Sequence, residues 1–262
     1  MMFAIPFPAI DPVLISIGPL AIRWYSLAYI AGILIGWRYI VGLAKQKPGV
    51  IDNAAIDDLI VWLVFGIILG GRLGYVLFYK PGYYLANPIE ALYVWQGGMS
   101  FHGGAIGVIL ALAIFSRKRG VALLPLADLV ACAAPIGLFF GRIANFINGE
   151  LFGRPADVAW AMVFPRGGPE PRHPSQLYES FLEGLLLFLI LAVLWRFTRL
   201  RDRPGALGGV FLLGYGAFRM FVEQFREPDA HLGFLVAGAT MGQLLSLPLV
   251  AAGIWLLARK PG

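Results

Sequence analysis

Seven long apolar stretches constrain this chain more than any other feature of its sequence. Each has the length of about 20 mostly apolar residues that an α-helix needs to cross a bilayer core of ~30 Å. They lie at about 20–43, 56–79, 97–116, 124–147, 176–196, 206–224 and 236–258. The runs are continuous and lack the alternating pattern of a membrane β-barrel strand. The pattern predicts an all-α integral membrane protein with about seven transmembrane helices in a single membrane domain spanning 1–262.

Composition agrees with this class. Hydrophobic residues make up 59% of the chain and charged residues 14%, against roughly 45–50% and about 25% in soluble domains. Glycines also recur four residues apart, which lets helix backbones approach closely and predicts a compact bundle. The pairs are Gly32/Gly36, Gly66/Gly70, Gly103/Gly107, Gly137/Gly141, Gly205/Gly209 and Gly238/Gly242. Lysine and arginine form short clusters between apolar runs rather than a basic stripe with interleaved aromatics, so we expect no nucleic-acid partner.

The basic clusters predict the orientation of the helices, because connections rich in lysine and arginine stay on the cytoplasmic side. One alternating set of connections and the C-terminal tail hold eleven basic residues, whereas the other set holds five and the first 19 residues hold none. We therefore expect the N-terminus outside and the C-terminus in the cytoplasm. The eleven are Lys45, Lys47, Arg117, Lys118, Arg119, Arg196, Arg199, Arg201, Arg203, Arg259 and Lys260.

Two outer connections stand out. Residues 148–175 are too polar to span a bilayer and carry five prolines, which predicts a small outer cap over the bundle. The connection at 80–96 carries aromatic residues of the kind that anchor proteins at a membrane interface, and we interpret them as such anchors. They are Tyr83, Tyr84, Tyr93 and Trp95.

Ionisable residues within membrane helices are costly and mark functional sites by default. With the predicted orientation, those of six helices fall in one outer layer. A transporter is expected to carry such charges near the midplane, often in two repeated halves, and the sequence has neither feature. An enzyme that acts on an anionic phospholipid headgroup requires this outer layer. Two alternatives remain open, namely an enzyme with a different reaction on outer-leaflet phospholipids and a transporter.

Spacing groups some of these residues. Tyr215, Arg219, Glu223 and Arg226 form one stripe of a helix, and Arg142 shares a face with Asn145. The alternative for Arg219 and Glu223 is a structural ion pair, which is compatible with a functional role. Arg72, beside three glycines, fits a structural pair and an interfacial side chain equally well.

His102 follows Met-Ser-Phe and precedes two glycines that allow close approach of a ligand or a helix. Histidine is the residue type whose unperturbed pKa suits proton transfer near neutrality, although a histidine at a helix start is often only a satisfied polar group. The other histidines, His173 and His231, lack ligand-like spacing, and Cys132 is the single cysteine. We therefore expect neither a metal site nor a cofactor.

Five sequence blocks carry a family resemblance. Residues 141–153, GRIANFINGELFG, resemble the signature of bacterial prolipoprotein diacylglyceryl transferases. Further blocks of the same family are matched, in order, by GGRLGYVLFY at 70–79, MSFHGG at 99–104, RHPSQLYES at 172–180 and YGAFRMFVEQFREPD at 215–229. The blocks span most of the chain, and no polar position within them departs from the family pattern.

The resemblance implies a seven-helix enzyme of the bacterial inner membrane with its active site toward the periplasm. It implies transfer of the diacylglyceryl group of phosphatidylglycerol to the signal-peptide cysteine thiol of a prolipoprotein. The products are a thioether-linked lipid and glycerol phosphate. A monomer is the expected oligomeric state.

Within that chemistry, arginine suits the phosphate because its planar fork matches phosphate oxygens with two hydrogen bonds. We predict that Arg142 and Arg219 bind the headgroup and stabilise the leaving phosphate, and that His102 removes the thiol proton. One alternative is that the two arginines activate the thiol unaided, and another is that His102 is a positioning residue at the start of its helix. The other predicted substrate-binding residues are Glu150 and Glu223, which would orient the arginines, with Asn145, Tyr25, Tyr215 and Gly153.

Overall fold

The computed structural model describes residues 5–8, 10–18, 20–228 and 238–260. Its helices are α1 Trp24–Gln46, α2 Asn53–Phe78, α3 Pro81–Ala86, α4 Phe101–Arg119, α5 Leu123–Ile147, α6 Ser175–Glu179, α7 Leu187–Phe197, α8 Ala206–Val222 and α9 Met241–Ala258. A π-helical stretch, Ser180–Leu186, joins α6 to α7 without a break. The strands are β1 Ile5–Pro6, β2 Val13–Ile17, β3 Leu20–Arg23 and β4 Met162–Val163.

Each of the seven predicted stretches coincides with an apolar helix. Six of these helices are long and apolar enough to cross a membrane, counting Ser175–Phe197 as one, and the seventh, Ala206–Val222, is shorter. The predicted all-α membrane protein is confirmed, with small β elements in addition. The protein is a multi-pass membrane protein.

The predicted starts of two helices were wrong for a local reason. Residues 20–23 form β3, paired antiparallel with β2 across a turn where Gly18 has φ +59°. Residues 97–100 precede α4, because Gly97 and Gly98 take positive φ values of 83° and 76° that a right-handed helix excludes. Ser100 then caps α4 by accepting a hydrogen bond from the amide of Gly103. Position 236, the predicted start of the last helix, lies outside the described residues.

The chain divides into two compact units, residues 40–129 and residues 1–39 with 130–262, which are described separately. The smaller unit is built on the pair α2 and α4. Glycines line their seam, and a Cβ atom at Gly103 or Gly107 would collide with the backbone of Gly70 or Gly66. The predicted close approach at these two glycine pairs is confirmed. The single membrane domain stays a prediction.

A substitution in this seam tests the packing. Gly107→Ala places a methyl group against a backbone carbonyl that has no room to give. Overpacking of this kind costs typically about 1–3 kcal/mol, so we expect a lower unfolding temperature of the purified protein in detergent. Gly42→Ala in α1 is the matched control, because its Cβ would meet open space. Equal unfolding temperatures for Gly107→Ala and Gly42→Ala would contradict the close packing of α2 on α4.

The segment between α2 and α4 folds back onto Arg72. The Arg72 guanidinium, 4% exposed, donates hydrogen bonds to the backbone carbonyls of Ala91 at 2.8 Å, Gly97 at 2.5 Å and Glu90 at 2.6 Å. It also lies 5.2 Å from the ring centroid of Tyr84. Arg72 is therefore a structural residue, and its partners are carbonyls rather than an acid. The segment leaves large apolar side chains exposed, among them Leu85, Ile89, Leu92 and Trp95.

In the larger unit, α1 packs on α5 where Gly32 approaches Gly137, and α8 packs on α9 where Gly209 and Gly253 approach each other. The predicted cap at 148–175 is ordered by hydrogen bonds within its backbone, including Met162 N to Arg172 O at 2.9 Å. Strand β1 pairs in parallel with β4 of the cap. Phe7 follows β1 and packs on the fully buried Phe164.

Candidate active site

Helix α6 and the π-helical stretch that follows it bring two glutamates against α5. Glu179 and Glu183 lie four residues apart, and both side chains are completely buried. The stretch packs tightly on α5, because a Cβ at Gly184 would collide with the backbone of Phe139 and Ser180 Oγ donates to the Phe139 carbonyl at 3.3 Å. Arg142 lies one turn beyond this contact. Its Nε is 3.2 Å from Glu179 Oε2 and its Nη2 is 3.6 Å from Glu183 Oε2.

Helix α8 supplies the facing charges. Arg219 donates from Nη1 to Glu179 and from Nη2 to Glu223, so its two terminal nitrogens hold two different carboxylates. Arg219 and Glu223 thus form the ion pair that was the alternative interpretation of these two residues, one compatible with a functional role. Arg226 Nη1 lies 3.7 Å from Glu223 Oε1 and 3.8 Å from Glu179 Oε1. Thr240, the N-cap of α9, donates to the second oxygen of Glu223 at 2.6 Å.

We call these six charged residues the arginine–carboxylate cluster: Arg142, Arg219, Arg226, Glu179, Glu183 and Glu223. Three guanidinium groups face three carboxylates, so the formal charges balance. The arginine side chains retain exposures of 11–13%, whereas Glu179 and Glu183 have none. The arginine side chains are therefore the more exposed part of the cluster, whereas these two glutamates are completely buried.

A second polar group follows the end of α5. Glu150 accepts hydrogen bonds from the side-chain amides of Asn145 at 2.9 Å and Asn148 at 3.2 Å. Among the described residues, no arginine lies within ion-pair distance of Glu150, so it holds amides where we predicted that it orients arginines. The Gln176 amide donates to the Glu150 carbonyl at 2.6 Å. Tyr25 interacts electrostatically with both Glu150 and Arg142.

Gly153 lies in the cap, where its backbone N–H and its backbone carbonyl both form hydrogen bonds. Its N–H donates to the His173 carbonyl at 2.8 Å, and its carbonyl accepts from Arg172 at 3.2 Å. A Cβ at this position would collide with the carbonyl of Phe225. This close approach accounts for the glycine, and substrate binding by Gly153 stays a prediction.

Arg154 and His173 tie the cap to neighbouring helices. Arg154 donates to the carbonyls of Arg226 at 2.9 Å and Glu223 at 3.1 Å, which joins the cap to the end of α8. His173 Nδ1 is 3.0 Å from the hydroxyl of Tyr178, which also accepts from Trp160 at 2.6 Å. Burial lowers the pKa of His173, so its imidazole is neutral at neutral pH.

The structure brings together most of the predicted site residues, in the unit of residues 1–39 and 130–262. Tyr215 is 6% exposed and interacts electrostatically with Arg142, Arg219 and both buried glutamates. His102 belongs to the other unit, where it is exposed in the first turn of α4 with its ring 5.6 Å from that of Phe101. Its place relative to the cluster is a prediction. His231 lies outside the described residues.

Sequence reasoning left four members of this site out of the predicted set: Glu179, Glu183, Arg226 and Thr240. A signal for the glutamates was present, since two like charges four residues apart in an apolar helix repel each other unless cations lie between or beside them. Thr240 had a weaker signal. Thr240 and Gln243 form a capping box that the sequence spacing indicates. No sequence pattern near Thr240, however, links this cap to Glu223.

The fold and this cluster define a multi-pass membrane protein. The arginines near the ends of its helices are mostly buried and keep a small exposed fraction. Arginines held this way suit a phosphate or carboxylate ligand. The chain belongs to the prolipoprotein diacylglyceryl transferase family, whose family model matches residues 12–259.

Relatives of similar length bear this out. A phosphatidylglycerol–prolipoprotein diacylglyceryl transferase of Paramagnetospirillum magneticum is 64% identical over 98% of this chain and 96% of its own length. Proteins of the same name are 61% identical in Rhodospirillum rubrum, over 99% and 96%, and in Azospirillum brasilense, over 98% and 97%.

Proposed function

We propose that this protein is a transferase that moves the diacylglyceryl group of phosphatidylglycerol to the signal-peptide cysteine of prolipoproteins, the first step of lipoprotein maturation. The observation that carries the proposal is the pair of partly accessible arginines, Arg142 and Arg219, fixed from below by buried carboxylates. The family and its relatives supply the acceptor and the thioether product.

The thiol sulfur forms a bond to the terminal glycerol carbon of the diacylglyceryl group, and the bond from that carbon to the phosphate oxygen breaks. Its electron pair leaves with glycerol phosphate, so negative charge builds on phosphate oxygens. Arg142 and Arg219 stabilise that charge with donors already held in place, which is the arrangement that accelerates such steps. Tyr25, Asn145, Tyr215 and Gly153 complete the substrate-binding set, with Glu150 holding Asn145.

The thiol must lose its proton before or during attack, because the thiolate is the nucleophile and a free thiol has a pKa of about 8.5. We propose His102 as the base that takes this proton. Cys132 has no part in the step, since the reacting cysteine belongs to the acceptor and Cys132 is completely buried.

We further propose that the protein acts as a monomer in the bacterial inner membrane, with its site on the periplasmic side. The distribution of basic residues between alternate connections supports this orientation. The exposed apolar side chains between α2 and α4 suit contact with the outer interface.

The experiment that tests the reaction uses purified protein, phosphatidylglycerol labelled in its glycerol headgroup and in its acyl chains, and a peptide with a signal-sequence cysteine. We expect acyl label on the peptide and headgroup label in free glycerol phosphate, in equal amounts. Release of the headgroup label in the absence of the peptide would instead identify a phospholipase. Uptake of label into vesicles without cleavage of phosphatidylglycerol would identify a transporter.

Orientation has its own test in intact cells. In a Cys132→Ala background, Leu85→Cys and Glu170→Cys should react with a membrane-impermeant thiol reagent, because both positions are exposed in predicted outer segments. Lys118→Cys, exposed at the end of α4, should react only after permeabilisation. Labelling of Lys118→Cys in intact cells would reverse the orientation and place the site on the cytoplasmic side. Residues 225–235 are also predicted to face outside, and of these the structure describes residues 225–228.

A further inference from the structure

Two glutamates in the cluster cannot touch a substrate. Glu179 and Glu183 have side-chain exposures of 0%, and what covers them includes the arginines that a phosphate would contact. Any effect they have on the reaction must act through those arginines. The proposed function, on which this inference rests, assigns them no part.

Glu179 lies within ion-pair distance of all three arginines of the cluster. Its Oε2 lies 3.2 Å from Arg142 Nε, and its Oε1 accepts from Arg219 and lies 3.8 Å from Arg226 Nη1. Within the described residues, Oε2 has no hydrogen-bond partner, so Glu179 and Arg142 form an ion pair without a directional hydrogen bond. Glu179 therefore sets the orientation of the Arg219 guanidinium and adds its charge beside Arg142.

Glu183 stands differently. It lies 3.6 Å from Arg142 Nη2 and 3.8 Å from Arg219 Nη1, beyond hydrogen-bond distance. Within the described residues, neither of its carboxylate oxygens has a hydrogen-bond partner. Glu183 thus contributes charge to the cluster without fixing the direction of any donor.

The charge of these glutamates matters because the product is more anionic than the substrate. A phosphodiester carries one negative charge, whereas a phosphate monoester carries about −1.5 to −2 at pH 7. Arginines without counter-charges would hold the product more tightly than the substrate, and release would limit turnover. Buried carboxylates next to the arginines weaken the binding of both substrate and product. The effect is larger for the product, because it carries more negative charge.

We propose that Glu179 is a positioning residue that aims the guanidinium group of Arg219, and that Glu179 and Glu183 together keep glycerol phosphate from being retained. The ligand class on which they act is a phosphate monoester. Orientation requires Glu179, whereas both glutamates contribute charge.

The test measures binding of glycerol phosphate to the purified protein by calorimetry, together with kcat and KM for phosphatidylglycerol. In Glu179→Gln, one negative charge is lost with no change of shape. We expect glycerol phosphate to bind on the order of tenfold more tightly, from the loss of one nearby repulsive charge in a partly buried site. We also expect kcat to fall and KM not to rise. Glu183→Gln should tighten binding in the same direction with a smaller fall in kcat.

Two further variants separate the contributions. Glu179→Asp keeps the charge but shortens the side chain, so glycerol phosphate affinity should stay at the wild-type value while kcat falls. Glu170→Gln removes the same charge from an exposed position of the cap and should change neither quantity.

The outcomes are distinct. A raised KM with unchanged glycerol phosphate affinity in Glu179→Gln would mean that the glutamate only supports the fold, and would overturn the proposal. If Glu179→Gln does not accumulate as folded protein, Glu183→Gln decides, and affinity equal to wild type overturns it. Failure of the wild-type protein to transfer lipid would refute the proposed function, whereas the affinity ratios are measured without turnover.

Discussion

Arg142→Lys and Arg219→Lys should each lower kcat by about 10²–10³ while the protein still inserts into the membrane, because charge-assisted contacts to the leaving phosphate supply roughly that factor. Lysine keeps the positive charge but has a single nitrogen in place of the planar fork. Arg219 uses two terminal nitrogens to hold Glu179 and Glu223. A lysine there reaches one carboxylate and leaves the other without its hydrogen bond from residue 219, with only the longer contacts to the remaining arginines.

Activity must be separated from folding in this experiment. Removing one partner of a buried ion pair costs about 3–5 kcal/mol in stability, so each variant needs a thermal unfolding curve beside its rate. Arg23→Lys, in β3 and exposed, is the matched control and should retain both stability and turnover. Near-normal turnover in a folded Arg142→Lys or Arg219→Lys protein would make that arginine structural, as Arg72 is.

The membrane fold was predictable because its signal is local. An apolar run of the right length specifies a membrane helix wherever its neighbours lie, and the glycine pairs at 66/70 and 103/107 mark a close approach in the same local way. The helix starts at 20 and 97 were misplaced because composition does not register backbone geometry. Gly97 and Gly98 do not interrupt the apolar run in the sequence, yet their positive φ values exclude them from the helix that follows.

The partners of charged residues were harder to predict, because they are set by tertiary distance. The sequence left Arg72 equally between a structural pair and an interfacial side chain, because its carbonyl partners at Glu90, Ala91 and Gly97 lie 18–25 residues away on an irregular segment. The pair Arg219 and Glu223 was predictable from helical spacing alone. Glu179 bridges to Arg219 across 40 residues, and no periodicity within one helix reveals such a contact.

The largest remaining effect is expected at His102. If its imidazole removes the thiol proton, His102→Gln should reduce the transfer rate by about 10²–10⁴ at neutral pH. Raising the pH toward the thiol pKa of about 8.5 should then restore part of the rate, because the acceptor ionises without help. The wild-type enzyme should gain less over the same range, since its base already supplies the thiolate.

The control and the competing mechanism give different pH profiles. His173→Gln removes a histidine that holds the cap through Tyr178, and it should change stability without changing the shape of the profile. If Arg142 and Arg219 alone activate the thiol, His102→Gln should lose little activity and keep the wild-type profile. An inactive His102→Gln protein that alkaline pH does not revive contradicts both mechanisms. It would assign His102 to positioning in the first turn of α4, beside Gly103, where α4 packs closely on Gly70 of α2.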